Sequence, residues 1–255
     1  KKNITRIVLI GDSLTMQLWG SLLCREETKW GFGAKVDSQI QHKNVNYDQR
    51  SQRGFSVADA VVGDGLTWTY LRVRGMQRAG ALTRALEVAF DRGMLDQRAL
   101  YVVNAGLWHL LCTTNINECL ETYENDVEKF LKVLTARADG PVVWRYTTAV
   151  HPSLFPRRMS PVDQRKFRSF TDENVRKLNK VADTVIRRDF KNKVTVRRDA
   201  YNFTVNLEDE AYLRGDARHP ASGALKSLVS LLFVEDACDY GRLARGLVGR
   251  WWQDW

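Results

Sequence analysis

Histidine, cysteine and proline are scarce in this 255-residue sequence, at four, four and five residues. With four histidines the search for a catalytic base is short. The cysteines lack zinc-ligand spacing and no Cys-His cluster accompanies them, so no metal is expected. No apolar run approaches the ~20 residues that span a bilayer. Nothing is repeated, low in complexity or linker-like. There is no phosphate loop of the Gly-x-x-x-x-Gly-Lys type and no acidic metal cluster, which argues against phosphoryl transfer. No zinc finger, KH loop or aromatic RNA-binding signature is present, so nucleic acid is not an expected partner. The chain opens Lys1-Lys2-Asn3, with neither an initiator Met nor a signal peptide. It reads as an excised or processed domain, with any targeting segment or membrane anchor outside it.

The 44% apolar content is enough for a full core, and residues 1–255 read as one domain. A net charge of +9 and a pI of about 9.5 attract an acidic partner: a polyanionic glycan, nucleic acid or a membrane face. The charge is spread, with small clusters at Arg157-Arg158, Arg187-Arg188 and Arg197-Arg198, and a solvated basic surface is the simpler reading. Four cysteines permit two disulfides in three connectivities. Cys112 and Cys119 flank a polar loop, Thr113 to Glu118, and can staple it; Cys24 and Cys238 would then join the first helix to the C-terminal region. With the sequons at Asn3 and Asn202, these point to a secretory compartment, Golgi lumen or extracellular.

Four apolar residues, Ile7 to Ile10, predict a short buried strand. Gly11 allows a tight exit, and Asp12 and Ser13 can both cap the helix predicted from Leu14 to Glu26. Ser13 then sits at the carboxyl edge of a sheet, where ligands of open α/β sheets bind and helix amides favour negative charge. Alanine 34 to Ile40 and Asn44 to Tyr47 are weakly patterned strands, and Ser51 to Ser56 is a polar, Gly-centred loop. Leu66 to Val73 alternates as a half-exposed strand. Helices follow at Gly80 to Phe90, Leu120 to Ala138, after a Ser169-x-x-Asp172 start, and at Ser222 to Glu235. Further buried strands fall at Ala99 to Val103, Val142 to Tyr146 and Val194 to Val196. Strands alternating with long helices predict a three-layer α/β/α fold with a parallel sheet of about four or five strands.

A serine nucleophile needs a base, a group that orients the base, and an oxyanion hole. His42 lies in a polar stretch, His109 follows a strand end and His151 precedes a proline. His219 stands in Gly215-Asp216-Ala217-Arg218-His219-Pro220. An acid three residues before a histidine in a turn can reach Nδ1, leaving Nε2 to take the serine proton. Gly54, without a side chain, can bring its amide close to a substrate, and Asn104 ends a buried strand with a donor NH2 group. With the Ser13 amide they make a three-donor oxyanion hole. Each residue has a plainer reading: a helix cap, a turn glycine, a strand-ending Asn, a loop His.

The ordered set Gly11-Asp12-Ser13, Gly54, Asn104, Asp216-x-x-His219 resembles the four signature blocks of the SGNH, or GDSL, hydrolases. Gly11-Asp12-Ser13-Leu14 with Trp19-x-Ser21-Leu22-x-Cys24 looks like the opening of the PC-esterase branch, which includes the plant trichome-birefringence-like polysaccharide O-acetyltransferases. Asn104-Ala105-Gly106-Leu107-Trp108-His109 is similar to that branch's third block. Two departures stand out. The third block lacks the Gly-x-Asn-Asp form of bacterial members, and the last reads Asp-Ala-Arg-His-Pro without a following Trp-Cys.

The resemblance implies acyl transfer, foremost of acetyl, to or from carbohydrate hydroxyls without a cofactor. Ser13 would be the nucleophile, His219 the base and Asp216 its orienter, with Ser13, Gly54 and Asn104 as oxyanion donors. Water as acceptor makes an esterase and a sugar makes an O-acetyltransferase; the acetyl donor stays open. Trp108 and Trp30 are candidates for stacking on sugar rings, and Arg145 for binding an acidic group of a polysaccharide. The competing reading is a non-catalytic basic module that binds an anionic glycan or nucleic acid.

Overall fold

The computed structural model of the protein describes residues 4–30, 41–48, 53–62, 66–73, 79–111, 115–155 and 167–212. Its strands are β1 (Arg6–Ile10), β2 (Gln41–Asp48), β3 (Arg53–Val62), β4 (Leu66–Val73), β5 (Leu100–Val103), β6 (Val142–Arg145) and β7 (Val194–Arg197). Its helices are α1 (Ser13–Trp30), α2 (Ala79–Asp91), α3 (Ile116–Arg137), α4 (Asp172–Val185) and α5 (Asp199–Thr204). A π turn, Ile186–Phe190, continues α4.

The strands form one sheet in the order β2-β3-β4-β1-β5-β6-β7. From β4 to β7 along this order every pair is parallel, so the expected parallel sheet is present with five strands. β2 and β3 extend it antiparallel, which makes the sheet mixed. In chain order the parallel strands are β1, β4, β5, β6 and β7, so across the sheet they run second, first, third, fourth, fifth. The winding reverses between β1 and β5. A doubly wound sheet opens its ligand crevice at that switch point, outside the carboxyl ends of the strands.

Alternation along the strands builds a core on each face. On one side Val8, Ile10, Tyr101, Val103, Val142 and Trp144 pack with apolar residues of α2, α3 and α4. On the other, Leu9, Ala58, Ala60, Trp68 and Tyr70 pack against Leu18, Trp19, Leu22 and Leu23 of α1. The result is three layers. Every residue from Ser13 to Leu23 is buried, including Thr15, Gln17 and Ser21. Among the described residues no helix is long and apolar enough to cross a membrane.

Several local expectations change. Arg53 to Ser56 begins β3 rather than closing a loop: Phe55 and Val57 face one core, and the small Ala58 and Ala60 lie under α1 on the other. β4 is buried across its middle rather than half exposed, because helices cover both its faces. α3 starts at Ile116, inside the expected polar loop, capped by Asn115 through the Asn117 N–H. The cap of α4 is Thr171, two residues beyond Ser169; its hydroxyl accepts from the Asn174 N–H. Gly93, with φ 65°, ends the turn after α2. The 34–40 strand and the 222–235 helix lie outside the described residues.

Candidate active site

β1 is held on both sides, and its exit is fixed by five contacts. The Asn104 N–H donates to the Ile10 carbonyl (2.9 Å), tying the ends of β1 and β5 together. The Tyr70 hydroxyl lies 3.2 Å from both the Gly11 and Asp12 carbonyls and shares its proton between them. The Asp12 carbonyl accepts the first helical bond, from the Met16 N–H at 3.0 Å, and Asp12 Oδ1 accepts from the Leu14 N–H at 3.0 Å. Asp12 is therefore the helix cap, and Ser13 is the first residue of α1. Capping, the plainer reading of Ser13, is done by its neighbour.

Gly11 fits where nothing larger does. A Cβ there would collide with Thr15 Oγ1 and with the Asn104 carbonyl oxygen. The turn is thus pressed against the first turn of α1 and the end of β5.

The same edge collects the other expected residues. Asn104 follows β5 and Arg145 ends β6. Gly54 opens β3, which runs antiparallel and so starts at this edge. Val57 is level with Leu71, and Leu71 with Ile10, so Gly54 and Ser13 each stand three residues beyond the same level. β4 intervenes, placing Gly54 two strands from β1, about 10 Å across the sheet. It is the outermost of the three expected oxyanion donors.

Asn104 is buried and its Nδ2 donates to the Arg145 carbonyl (3.0 Å) and to Thr147 Oγ1 (3.3 Å). Thr147 is held in turn by Asn179, which accepts from its N–H (2.9 Å) and donates to its carbonyl (3.0 Å). This buried polar ladder fixes the ends of β5 and β6 against α4. Both amide protons of Asn104 are spent along the sheet edge, while Oδ1 has no hydrogen-bond partner among the described residues. Asparagine 179 was not legible as part of the site, because its position on the apolar face of a helix gives no local signal.

Two expected substrate contacts are buried. Trp108 is 8% exposed in the 3₁₀ turn Leu107–Leu110, packed into the core rather than offered as a stacking face. Arg145 is 2% exposed, with Nη2 donating to Thr15 Oγ1 at 3.1 Å. It packs against the first turn of α1, where Ser13 is buried as well. Burial pushes its guanidinium down to about 10, while the charge of Asp12 works the other way. It remains charged at neutral pH.

His109, also in that turn, lies with Nε2 3.2 Å from Asp126 Oδ2 and its ring 4.8 Å from the Tyr123 ring. Tyr123 donates its hydroxyl proton to the Ala105 carbonyl (2.7 Å), so α3 holds the loop after β5 at two points. Burial works to raise the Asp126 pKa, but the His109 hydrogen bond and charge, the Gly80 amide and Lys129 outweigh it, and the carboxyl is held low. The sign follows directly. A depressed carboxyl stabilises the fold above its unfolded pKa, near 3.9, and that stability is lost as pH falls through its lower folded value. Thermal melts from about pH 7 to about pH 3 should show a wild-type acid limb that is flatter in Asp126→Asn. Identical limbs would remove Asp126 from the acid transition.

Two of the basic clusters are already neutralised. Arg187 and Arg198 share Asp183, Arg188 reaches Asp189, Glu124 and Glu128, and Arg197 pairs with Asp199. Arg157-Arg158, Asp216 and His219 lie outside the described residues, as does the side chain of Trp30. Cys119 is disulfide-bonded; Cys112, Cys238 and the side chain of Cys24 are outside the described residues. No group of three or more His, Cys, Asp or Glu among the described residues could hold a metal ion.

Neither a protein-family model nor a curated protein matches the sequence. Solved structures do. A gut microbial diltiazem-metabolizing enzyme is 12% identical, with 92% of this chain aligned to 47% of that one at a TM-score of 0.49. TesA is 13% identical, with coverage of 88% and 94% and a TM-score of 0.46. A peptidoglycan O-acetylesterase is 10% identical, with coverage of 95% and 91% and a TM-score of 0.47. The chain spans about half the length of the first of these.

Proposed function

We propose that this protein transfers an acyl group, foremost acetyl, to or from carbohydrate hydroxyls through an acyl-serine at Ser13. The observation that carries the reading is the division of labour in the β1–α1 turn: Asp12 caps the helix, and Ser13 stands at the switch point of the sheet without being needed as the cap. The SGNH-like order of motifs supplies the rest.

In this mechanism His219 Nε2 takes the Ser13 hydroxyl proton as Oγ bonds to the acyl carbonyl carbon, and Asp216 holds the imidazole by Nδ1. The oxyanion receives the Ser13 amide, the Gly54 amide and one N–H of Asn104, each worth about 3 kcal/mol of barrier. For Asn104 this means giving up its longer bond, the 3.3 Å contact to Thr147, to the substrate oxygen. His219 protonates the departing alkoxide as its bond to the acyl carbon breaks. Water or a sugar hydroxyl then gives its proton to His219 as its oxygen bonds to the acyl carbon; the bond from that carbon to Ser13 Oγ breaks, His219 returns the proton to Oγ, and acetate or an acetylated sugar leaves.

The exposed sequon Asn202 and the disulfide at Cys119 support a secretory location, and a Cys112–Cys119 staple at the start of α3 belongs to the same proposal. An acidic polysaccharide suits the basic chain. The binding-module reading loses ground because the arginine clusters at 187–188 and 197–198 are paired within the protein.

A chromogenic acetyl ester, incubated with and without oligosaccharide acceptors, separates the directions. Free acetate that ignores acceptor defines an esterase. Acetylated sugar, detected by mass and formed at the expense of acetate, defines a transferase. Salt-dependent glycan binding with no acyl turnover by folded protein would establish the binding module instead.

A further inference from the structure

Arg145 is the residue whose placement the proposed chemistry does not use. It is one of the largest fully buried side chains, and it lies at the N-terminal end of α1, the wrong end of a helix for a cation. A buried guanidinium is costly unless it is paired and hydrogen-bonded. Two groups offset the cost, and both belong to the nucleophile turn. Thr15 Oγ1 accepts from Nη2 at 3.1 Å, and the Asp12 carboxylate supplies the opposing charge.

Each of these groups touches the turn a second time. Thr15 Oγ1 fills the space where a Cβ on Gly11 would sit, so fixing its rotamer fixes the floor under Gly11. Asp12 Oδ1 holds the Leu14 N–H. One contact lies before Ser13 in the chain and one after it. Arg145 Nε has no hydrogen-bond partner among the described residues, and the side-chain hydrogen bond the guanidinium does make is the one to Thr15 in this turn.

We propose that Arg145 is a positioning residue: through Thr15 and Asp12 it holds the Gly11–Thr15 turn so that the Ser13 hydroxyl and amide stand where acyl transfer needs them. This rests on the acyl-serine reading of the site. It is an alternative to Arg145 binding an acidic group of the substrate, and it draws on the burial of the guanidinium against Thr15. A displacement of about 1 Å at a nucleophile can cost 10²-fold in rate, so the effect belongs in kcat.

The test pairs kinetics with amide exchange. Arg145→Met should lower kcat on an acetyl ester about 10- to 100-fold with KM within about twofold. Arg145→Lys, which keeps the charge but not the fork, should recover part of the loss. Thr15→Val removes only the accepting hydroxyl and keeps a testable variant should Arg145→Met fail to fold. It should lower kcat less, and the double variant should fall short of the product of the two. The amides of residues 12–16, Leu14 above all, should exchange at least about tenfold faster in Arg145→Met at matched global stability. A raised KM with kcat unchanged would return Arg145 to substrate binding and overturn the proposal, as would kinetics equal to wild type. If wild type shows no Ser13-dependent turnover, the acyl-serine reading fails by itself. Exchange then decides the inference: unchanged rates at 12–16 sink it, and faster rates keep Arg145 as the clamp of this turn.

Discussion

Ser13→Ala should abolish acyl turnover, by about 10⁴-fold or more in kcat, while leaving the thermal midpoint close to wild type. The first half of this expectation follows from the chemistry: Ser13 is the first residue of α1 at the switch point, and the other oxygens of that turn are engaged, Thr15 Oγ1 by Arg145 and Asp12 Oδ1 by the Leu14 N–H. The second half follows from the cap. Losing a cap costs about 1 kcal/mol, but the groups that accept here are the carboxylate and carbonyl of Asp12, which Ser13→Ala leaves in place. Two measurements check both halves. Rapid acid quench of wild type with an acetyl ester should trap one acetyl group per chain by intact mass, absent from the variant. Denaturant midpoints should coincide. Retained turnover would remove Ser13 from the mechanism, and a large loss of stability would make its role structural.

Gly11→Ala should be among the most damaging single methyl groups in the described structure, together with Gly140→Ala, whose Cβ would meet the Ala99 carbonyl. Overpacking a core costs typically about 1–3 kcal/mol because neighbours give way. Here one obstacle is the Asn104 carbonyl, main chain anchored by its own amide to Ile10, and the other is Thr15, held by Arg145. Neither can retreat without disturbing the turn, so the expected cost is at the top of that range, about 3 kcal/mol. Turnover should be lost with it. Gly93→Ala is the control. Nothing lies within 4 Å of its would-be Cβ, and only the positive φ of 65° opposes the change. That strain costs about 1–2 kcal/mol, and kcat should be unaffected. Equal stability losses in the two would mean that the Gly11 turn yields more easily than its contacts imply.

How much of this was legible in the sequence depends on which forces set each part. β1, β5 and β6 read clearly because both their faces are buried, giving unbroken apolar runs. α2, α3 and α4 carry strong apolar stripes, Tyr123, Val127, Phe130 and Leu134 among them. β3 was missed since its α1-facing residues are alanines and a serine, chosen by the closeness of the helix rather than by hydrophobicity. Ser13 was visible as one of two possible caps; only the hydrogen bonds of Asp12 settle which residue caps. Arg145 was visible as a strand-ending cation, but its burial depends on Thr15 and Asp12, 130 residues and more away in sequence. Separations of 43 and 32 residues hide Asn104–Thr147–Asn179, whose members are ordinary when read alone.

The position of β1 within the sheet also has a kinetic consequence. Val8 pairs with Thr69 on one side and Tyr101 on the other, 61 and 93 residues further along the chain (69 − 8 and 101 − 8). During synthesis the strand that leads into Ser13 emerges ahead of both its partners and must wait for them. Loop closure over such separations slows folding, and an apolar strand with both edges open is exposed to misassociation meanwhile. Nascent chains halted before β5 should therefore depend on chaperones, and the dependence should fall in chains released after α4, whose apolar face joins α3 in covering this side of the sheet. The strand that ends closest to the reacting atoms is the one whose burial the ribosome delays.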